Sequence, residues 1–521
     1  MVGGRPEGAG RRFPVSAVVV LMGISTILSG RTITVDDSGG ADYLSIQEAI
    51  SAAAPGDVVS VAAGLYRENL VLKSGVSVIG AGADQTTVDG GKLSWTATLL
   101  NCDASTRLQG FTLTNGQQQF GAGVYVVGGA PIITLNRITG NFAAPLRFGY
   151  TEGGGIEVQN SQCVVSDNRI DQNGADFGAG LNVVGGSPLI TRNQITGNVA
   201  AQSGGGVYLD GSLSAVVTGN AIFSNSSTYY GGGVGAFGGT PIISNNLITG
   251  NDATFSGPGG YFSFGGGVDV AYSNARITNN TVVGNKADVG GGISVYDVAS
   301  ATPRVANNVI YKNTGSTRSG GLDVSADAAQ VLSNVLFSNS RTDCDGLAAN
   351  PCADPSNLFL DPLLVNPSTQ GADYRLQPGS PAIDSGTAAG APADDYRGQR
   401  RPLDGNHDGV ATVDRGAYEF DRNDILGLIF SSPATLSWPA APGAASYHVY
   451  SGTLGALASR GLDTCRDSDD PVLTDLLFTE SRTPLPGAGF GYVVTAVIGD
   501  VEASPGFNSR GIERTLPLPC P

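Results

Sequence analysis

The 521-residue sequence predicts an all-β chain, most of it a solenoid of stacked parallel coils, with a helix closing one end and a small β-sandwich after the other. Three observations carry this. Eight times between residues 121 and 339 a glycine cluster and an aliphatic residue precede Asn-x-aliphatic-x-x-Asn, the Asn pairs being 136/141, 168/173, 193/198, 220/225, 246/251, 280/285, 308/313 and 334/339. Spacing inside the motif never changes, while the step between copies varies from 25 to 34 residues. The 77 glycines sit at set places in the repeat with no three-residue period, which excludes collagen and argues for ordered turns. A fixed motif with variable insertions describes coils held in register, with loops allowed at one corner.

The chain opens with an expected signal peptide over residues 1–30. Arg5, Arg11 and Arg12 precede the apolar run from Ala17 to Leu28, and Ser29-Gly30 supplies a small-residue cleavage region. That run is too short for a good membrane span, and the mature chain is expected to have none. A secreted or cell-surface destination follows. Cys344 with Cys352, and Cys465 with Cys520, are candidate disulfides in that oxidising setting, whereas Cys102 and Cys163 read as buried free thiols. The net charge of −16 makes nucleic acid and anionic membranes poor partners.

Residues 31–340 form the solenoid. Thr32 to Val35 reads as a strand, and Ser45-x-x-Glu48 as a capping box opening a helix with Ile46, Ala49, Ile50 and Ala53 on one face. Pro55-Gly56 ends the helix, which should cover the open strand edge of the first coil. Strand-like alternation follows at 58–61, 70–72 and 76–79. Within the repeats the leading aliphatic precedes the first ladder Asn by 12 positions at Val124, Ile156, Leu181, Val234, Val268 and Leu322, and by 13 and 15 at Val207 and Ile293. Three short strands per coil are expected, about eleven coils in all, with Asn at a corner because it tolerates left-handed backbone and because stacked amides can bond along a ladder.

The segments DYLSIQEAISAAAPGDVVSVAAGLYRENLVL and GVSVIGAGADQTTVDG, with the coils NRITGN, NQITGN and NLITGN, resemble a right-handed parallel β-helix of the pectin lyase-like superfamily. Residues 341–423, with LFLDPLLVN, DYRLQPGSPAIDSG and DYRGQRRPLDGNHDGVATVDRGAYEF, resemble a choice-of-anchor Q region and are expected to cap the last coil. Asp404, Asn406 and Asp408 alternate before Gly409, with Asp414 downstream; this resembles the start of a Ca²⁺ loop, although Arg415 stands where an EF-hand count needs Glu. Residues 424–521 resemble a fibronectin type III-like β-sandwich, with strands at 435–438, 446–450 and 490–497.

The resemblance implies a fold that hosts lyases, hydrolases, esterases and epimerases of acidic polysaccharides beside non-enzymatic members. Its polygalacturonase-like sites need a His, and both histidines here, His407 and His448, lie outside the solenoid. Pectinesterase-like strand motifs are missing, and epimerase-like sites need a Tyr/His cluster. A calcium-dependent lyase needs acids plus an Arg or Lys base, for which Arg137 and Arg169 occupy equivalent outward positions, surface ion pairing being their simpler use.

The residue after each leading aliphatic faces outward and gives the stripe Tyr125, Glu157, Asn182, Tyr208, Gly235, Asp269, Ser294 and Asp323. Aromatics and acids on one sheet face suit sugars, since rings stack on pyranoses and carboxylates bond hydroxyls. Insertions add Phe148, Tyr150, Phe177, Tyr229, Tyr230, Tyr261, Phe262 and Phe264 beside that sheet. The leading expectation is recognition of an extracellular polysaccharide or cell-surface glycan without catalysis. A polysaccharide lyase or glycoside hydrolase acting on acidic glycans, and a structural surface adhesin, are the alternatives.

Overall fold

The computed structural model describes residues 30–145, 149–255, 261–296, 301–348, 350–368, 372–406 and 408–421. Beyond these it describes 429–432, 434–438, 440, 444–453, 464–466, 474, 476–482, 490–498 and 501–502. Residues 1–29 of the expected signal segment, Phe148, His407 and Cys520 lie outside the described residues.

One coil shows how the repeat builds the stack. Leu181–Val184 is followed by Leu189–Thr191, Gln194–Thr196 and Val199–Ser203, and the glycine turn 204–206 then delivers the chain to Val207–Asp210, one level up. Strands of equal phase pair in parallel, making an all-β right-handed solenoid of about twelve turns. The strand containing Leu189 belongs to sheet A, of twelve strands; the next to sheet B and that of Leu181 to sheet C, each of eleven. The fourth strand of the coil enters sheet D, which has six strands from Gly174–Phe177 to Thr314–Gly315. The repeat therefore makes four strands per coil in its middle, where three were expected. The extra one forms because the residues after the second ladder Asn stay extended before the glycines.

The core follows from strand alternation. Leu181, Val183, Ile190 and Ile195 are fully buried, and Val207, Leu209, Val217 and Ile222 take the same places in the next coil. Two parallel ladders of buried asparagine run along the corners on either side of sheet B. Asn193 Nδ2 donates to Asn220 Oδ1 at 3.0 Å and to the Val165 carbonyl at 2.8 Å, while Asn220 Oδ1 also accepts the Asn193 backbone N–H at 2.9 Å. Asn198, Asn225 and Asn251 repeat this on the second corner. Each mid-ladder amide thus fills both donor and acceptor capacity without water.

The ladder asparagines themselves do not take the left-handed conformation. That falls one residue earlier, on Leu135, Asp167, Arg192, Asn245, Asn279, Asn307 and Ser333. The bend is made by the preceding residue so that the ladder amide points inward, in line with its neighbours.

The N-terminal helix spans Ile46–Ala52 and buries Ile46, Ala49 and Ile50. Ser45 caps it, accepting from the Glu48 N–H at 3.3 Å. The remaining first-turn donors are met from a distance: the Glu68 carboxylate accepts from the N–H of Ile46 and of Gln47 at 2.9 and 2.8 Å.

At the other end Asn357 and Asp343 extend the two ladders beyond Asn334 and Asn339. Cys344 and Cys352 are joined by a disulfide, and Cys102 and Cys163 are free and buried. The chain after residue 358 does not stay on the last coil. It returns along the outside of sheet B and its corner with sheet A, where Leu364, Leu376, Ala382 and Phe420 pack on Val283, Val309, Tyr311 and Val335. Asn279 donates to the Asp414 carbonyl and Asn245 to the Asp394 carbonyl, so the left-handed corner asparagines hold this segment. Residues up to 358 thus lie on the last coil, while those after it cover the outside of sheet B, whose apolar side chains extend over several coils.

The described residues between 429 and 502 form two antiparallel sheets. One comprises Ile429–Ser432, Thr435–Ser437 and Leu477–Thr479, and the other pairs Ser446–Thr453 with Phe490–Ile498. Leu436, Trp438, Tyr447, Val449, Phe478 and Ala496 form their buried centre.

Candidate functional site: an aromatic groove beside the glycine turns

The glycine turns shape the site. At Gly231 and Gly265 the backbone has φ of +58° and +61°, and a Cβ would lie 2.4 and 2.3 Å from the carbonyl oxygen three residues on. Only glycine fits so sharp a fold. The residue before each turn is thereby laid against the second residue of the next sheet C strand. Phe177, Ser203, Tyr230, Phe264 and Val289 form a line of paired bridges on one side, and Asn182, Tyr208, Gly235, Asp269 and Ser294 are in register on the other.

This corrects the idea of an open stripe. Tyr125, Glu157, Asn182, Tyr208, Gly235, Asp269, Ser294 and Asp323 do run in register on sheet C. Yet Glu157, Asn182, Asp269, Ser294 and Asp323 are buried, because the turns fold their neighbours over them. Tyr125 is committed to Trp95, with ring centroids 5.2 Å apart, and its hydroxyl donates to Gln159. Glu157 accepts from Asn182 Nδ2 at 2.9 Å and from Gln159 Nε2 at 3.2 Å, and burial pushes its carboxyl up to about 8. Asp323 sits 3.1 Å from Arg318, away from the groove, and burial raises it to about 6.

Tyr208, Tyr230 and Asp269 converge, as do Phe177 and Phe264 of the expected insertions. They line a groove of about 550 Å³ with Phe237, Tyr272 and Tyr296. Tyr230 stacks on Phe264 with centroids 5.9 Å apart, and Tyr208 packs on Phe177 at 5.3 Å. Tyr229 lies behind, stacked on Phe255. Gly235 lets Ser203 and Tyr208 pack closely over the strand, since a Cβ there would meet Ser203 Oγ at 2.7 Å and the Tyr208 ring at 2.9 Å. Asp269 lies at the base with a hydroxyl bond from Ser294, and burial pushes it up to about 7.

Phe237 and Tyr296 were missed because only the first outward position of each sheet C strand was followed. The second outward position reads Val127, Gln159, Val184, Asp210, Phe237, Ala271 and Tyr296, and would have disclosed the other wall. Tyr272 sits at φ +52° in the turn after the strand, which no periodicity marks. Among the described residues lining the groove there is no lysine, arginine or histidine. Arg137 and Arg169 both clamp Asp171 on sheet B, at 3.0 Å each.

The four residues of the anticipated calcium loop do not gather. Asp404, Asn406 and Asp408 share one turn, where they accept the N–H groups of Gly409, Asp408 and Val410. Asp414 is buried elsewhere and bonds the N–H groups of Asp384 and Phe420. Among the described residues no three His, Cys, Asp or Glu side chains are placed to hold a metal ion.

A right handed beta helix region is matched over residues 72–225 and 189–342, more than half of the chain. The chain belongs to the right-handed β-helix family. No curated protein matches it. Among solved structures the β-helix is similar to the pectate lyase Pel9A, with 17% identity and a TM-score of 0.46 over 76% of this chain and 98% of that one. It is also similar to the PL6 family alginate lyase AlyGC, with 14% identity and a TM-score of 0.34 over 61% of this chain. Here the match spans about half of the alginate lyase, 52%. No helix among the described residues is long and apolar enough to cross a membrane.

Proposed function

We propose that this β-helix is a secreted or cell-surface protein that recognises a polysaccharide through the groove on sheet C, without catalysis. The observation that carries the reading is the groove itself: Tyr230 stacked on Phe264 along one wall, Phe237, Tyr272 and Tyr296 packed edge to face along the other, one carboxyl at the base and, among the described lining residues, no cation. Parallel rings offer flat apolar faces to the C–H faces of pyranoses, and Asp269 and the tyrosine hydroxyls can bond sugar hydroxyls. A lone acid at the base disfavours a uronate there, so a largely neutral glycan is the ligand of this groove. β-Elimination on a uronate would need a base and a cation to neutralise the substrate carboxylate, and the described lining residues include no Lys, Arg or His.

The test is affinity electrophoresis and product analysis against neutral and uronate polysaccharides. Retardation by a neutral glycan, reduced by Tyr230→Ala with Phe264→Ala, supports the reading. Unsaturated uronate products or new reducing ends sink its non-catalytic part, and retention unchanged by the double substitution removes the groove.

A further inference from the structure

The outward face of sheet A carries no acid. Its first outward positions read Thr32, Val58, Ser77, Arg107, Ile132, Val164, Leu189, Val216, Ile242, Arg276, Arg304 and Gln330 along the twelve strands. The second outward positions, such as Gln109, Thr134, Ser166, Thr191, Thr218, Ser244 and Thr278, are mostly hydroxylated, and none is acidic. In a chain with 45 Asp and Glu against 29 Lys and Arg, a sheet face whose only charges are positive is an uneven distribution that function can explain.

Arg276 and Arg304 are adjacent in register on parallel strands, which brings two guanidinium side chains side by side about 4.8 Å apart at the backbone. Like charges so placed repel one another. Among the described residues no carboxylate pairs with either of them. Arg304 donates to the Gln330 side chain and to the Ala389 carbonyl, and Arg276, which is exposed, has no partner among the described residues. The nearby acids of the returning segment are already engaged, Asp394 with Arg400 and Asp395 with Arg397. The two arginines edge a groove of about 690 Å³, whose far rim is Ala389 and Gly390 and whose other lining is largely hydroxyl and amide: Thr240, Asn274, Thr302 and Gln330.

An independent observation points into the same groove. Thr278 lies beside Arg276 on the same strand face, lines the groove, is 1% exposed, and its Oγ1 has no hydrogen-bond partner among the described residues. Four of its counterparts lower in the sheet are bonded in pairs, Ser166 with Thr134 at 3.1 Å and Ser244 with Thr218 at 3.3 Å. A buried hydroxyl left unbonded costs free energy unless something else supplies the bond.

We propose that this groove is a second binding site, taking a saccharide unit that carries an oxyanion, a carboxylate or a sulfate ester. The paired guanidiniums of Arg276 and Arg304 hold the oxyanion, and Thr278 with the neighbouring hydroxyls and amides bonds the sugar. Guanidinium planes match such groups bidentately. A densely phosphorylated polymer is disfavoured by the overall negative charge, whereas one oxyanion among hydroxyls fits both the charge and the lining. This site does not depend on the aromatic groove, from which it differs in sheet and in charge preference.

Calorimetric titration of the full chain tests it, with tetragalacturonate, a sulfated oligosaccharide, a neutral oligosaccharide of equal length and inorganic sulfate alone. The expected result is binding of at least one charged saccharide, weakened about tenfold or more in Arg276→Gln with Arg304→Gln. The preferred of the two charged saccharides identifies the oxyanion. Thr278→Val is expected to keep or raise the melting temperature while weakening the same ligand several-fold, which a purely structural hydroxyl would not do. Equal binding of the charged ligand to the wild type and the double-arginine variant overturns the proposal. So does inorganic sulfate binding as tightly as the sulfated saccharide, or the neutral ligand binding as tightly as the charged ones. Failure of the sheet C reading looks different: neutral glycans are then not retained by any variant, while the arginine-dependent signal persists.

Discussion

Tyr230 lies nearly parallel to Phe264, the planes 13° apart and the centroids separated by 5.9 Å, although a whole coil of chain lies between them. Their contact comes from the parallel register and from the glycine turn that follows each ring. A ring that is already stacked is held in place before a ligand arrives, so little side-chain freedom remains to be lost on binding. Tyr230→Ala is therefore expected to weaken neutral glycan binding several-fold, since a stacked aromatic contact contributes about 0.5–1.5 kcal/mol beyond area burial. Equilibrium binding with Tyr125→Ala as a control checks it; Tyr125 stacks on Trp95 outside the groove, and its loss should leave affinity unchanged.

Removing a mid-ladder amide should cost more than removing a surface polar group. Asn225 Oδ1 accepts from the backbone and side-chain nitrogens of Asn198, and its Nδ2 donates to the Ile195 carbonyl and to Asn251. Asn225→Ala strands several buried groups at once, each costing about 1–3 kcal/mol. Denaturant unfolding should show a loss of at least about 3 kcal/mol. Arg192→Ala, which removes a partly exposed pair with Asp167, should lose about 1 kcal/mol or less. Equal losses would mean that the ladder is not a stabilising array.

The framework was legible for a physical reason. Inward Val, Ile and Leu and the paired asparagines repeat because each coil meets a copy of itself, so local spacing encodes the packing. The groove was half legible. Tyr208, Tyr230 and Asp269 lie on lines that the repeat defines, but their burial depends on glycine turns whose direction spacing does not give. The return of residues 384–420 was not legible. Arg401 donates to Asn245 Oδ1 across 156 positions, and nothing in either neighbourhood announces the other.

Stability should fall as pH rises from about 4 to 8. Asp269 and Glu157 are raised by burial to about 7 and about 8, far above ordinary carboxyl values. A raised acid holds its proton in the folded state where the unfolded chain has released it, so the folded state binds more protons across that window. The contribution is complete below the unfolded value near 4. It shrinks as pH climbs through the window and is lost above the folded values. Asp269→Asn should remove the part of the slope that ends near pH 7, on the order of a few kcal/mol across the window. Melting curves at stepped pH read this directly, and an unchanged slope in the variant would show that Asp269 ionises freely.

Arg401 fixes the returning segment to the coils. Its side chain is 1% exposed, lies 2.5 Å from the equally buried Glu419 carboxylate, and donates to the carbonyls of Asp414 and Gly416 as well as to Asn245. Breaking such a pair leaves an uncompensated buried charge, a loss of about 3–5 kcal/mol. Arg401→Met is expected to release residues 384–420 while the solenoid persists, because the two ladders and the inward aliphatics do not pass through this contact. Limited proteolysis should then cut within that segment, and β-sheet circular dichroism should remain. Replacing both partners, Arg401→Met with Glu419→Leu, should restore much of the protection by removing the stranded carboxylate. Collapse of the whole β-sheet signal in Arg401→Met would instead show that the segment and the coils fold as one unit.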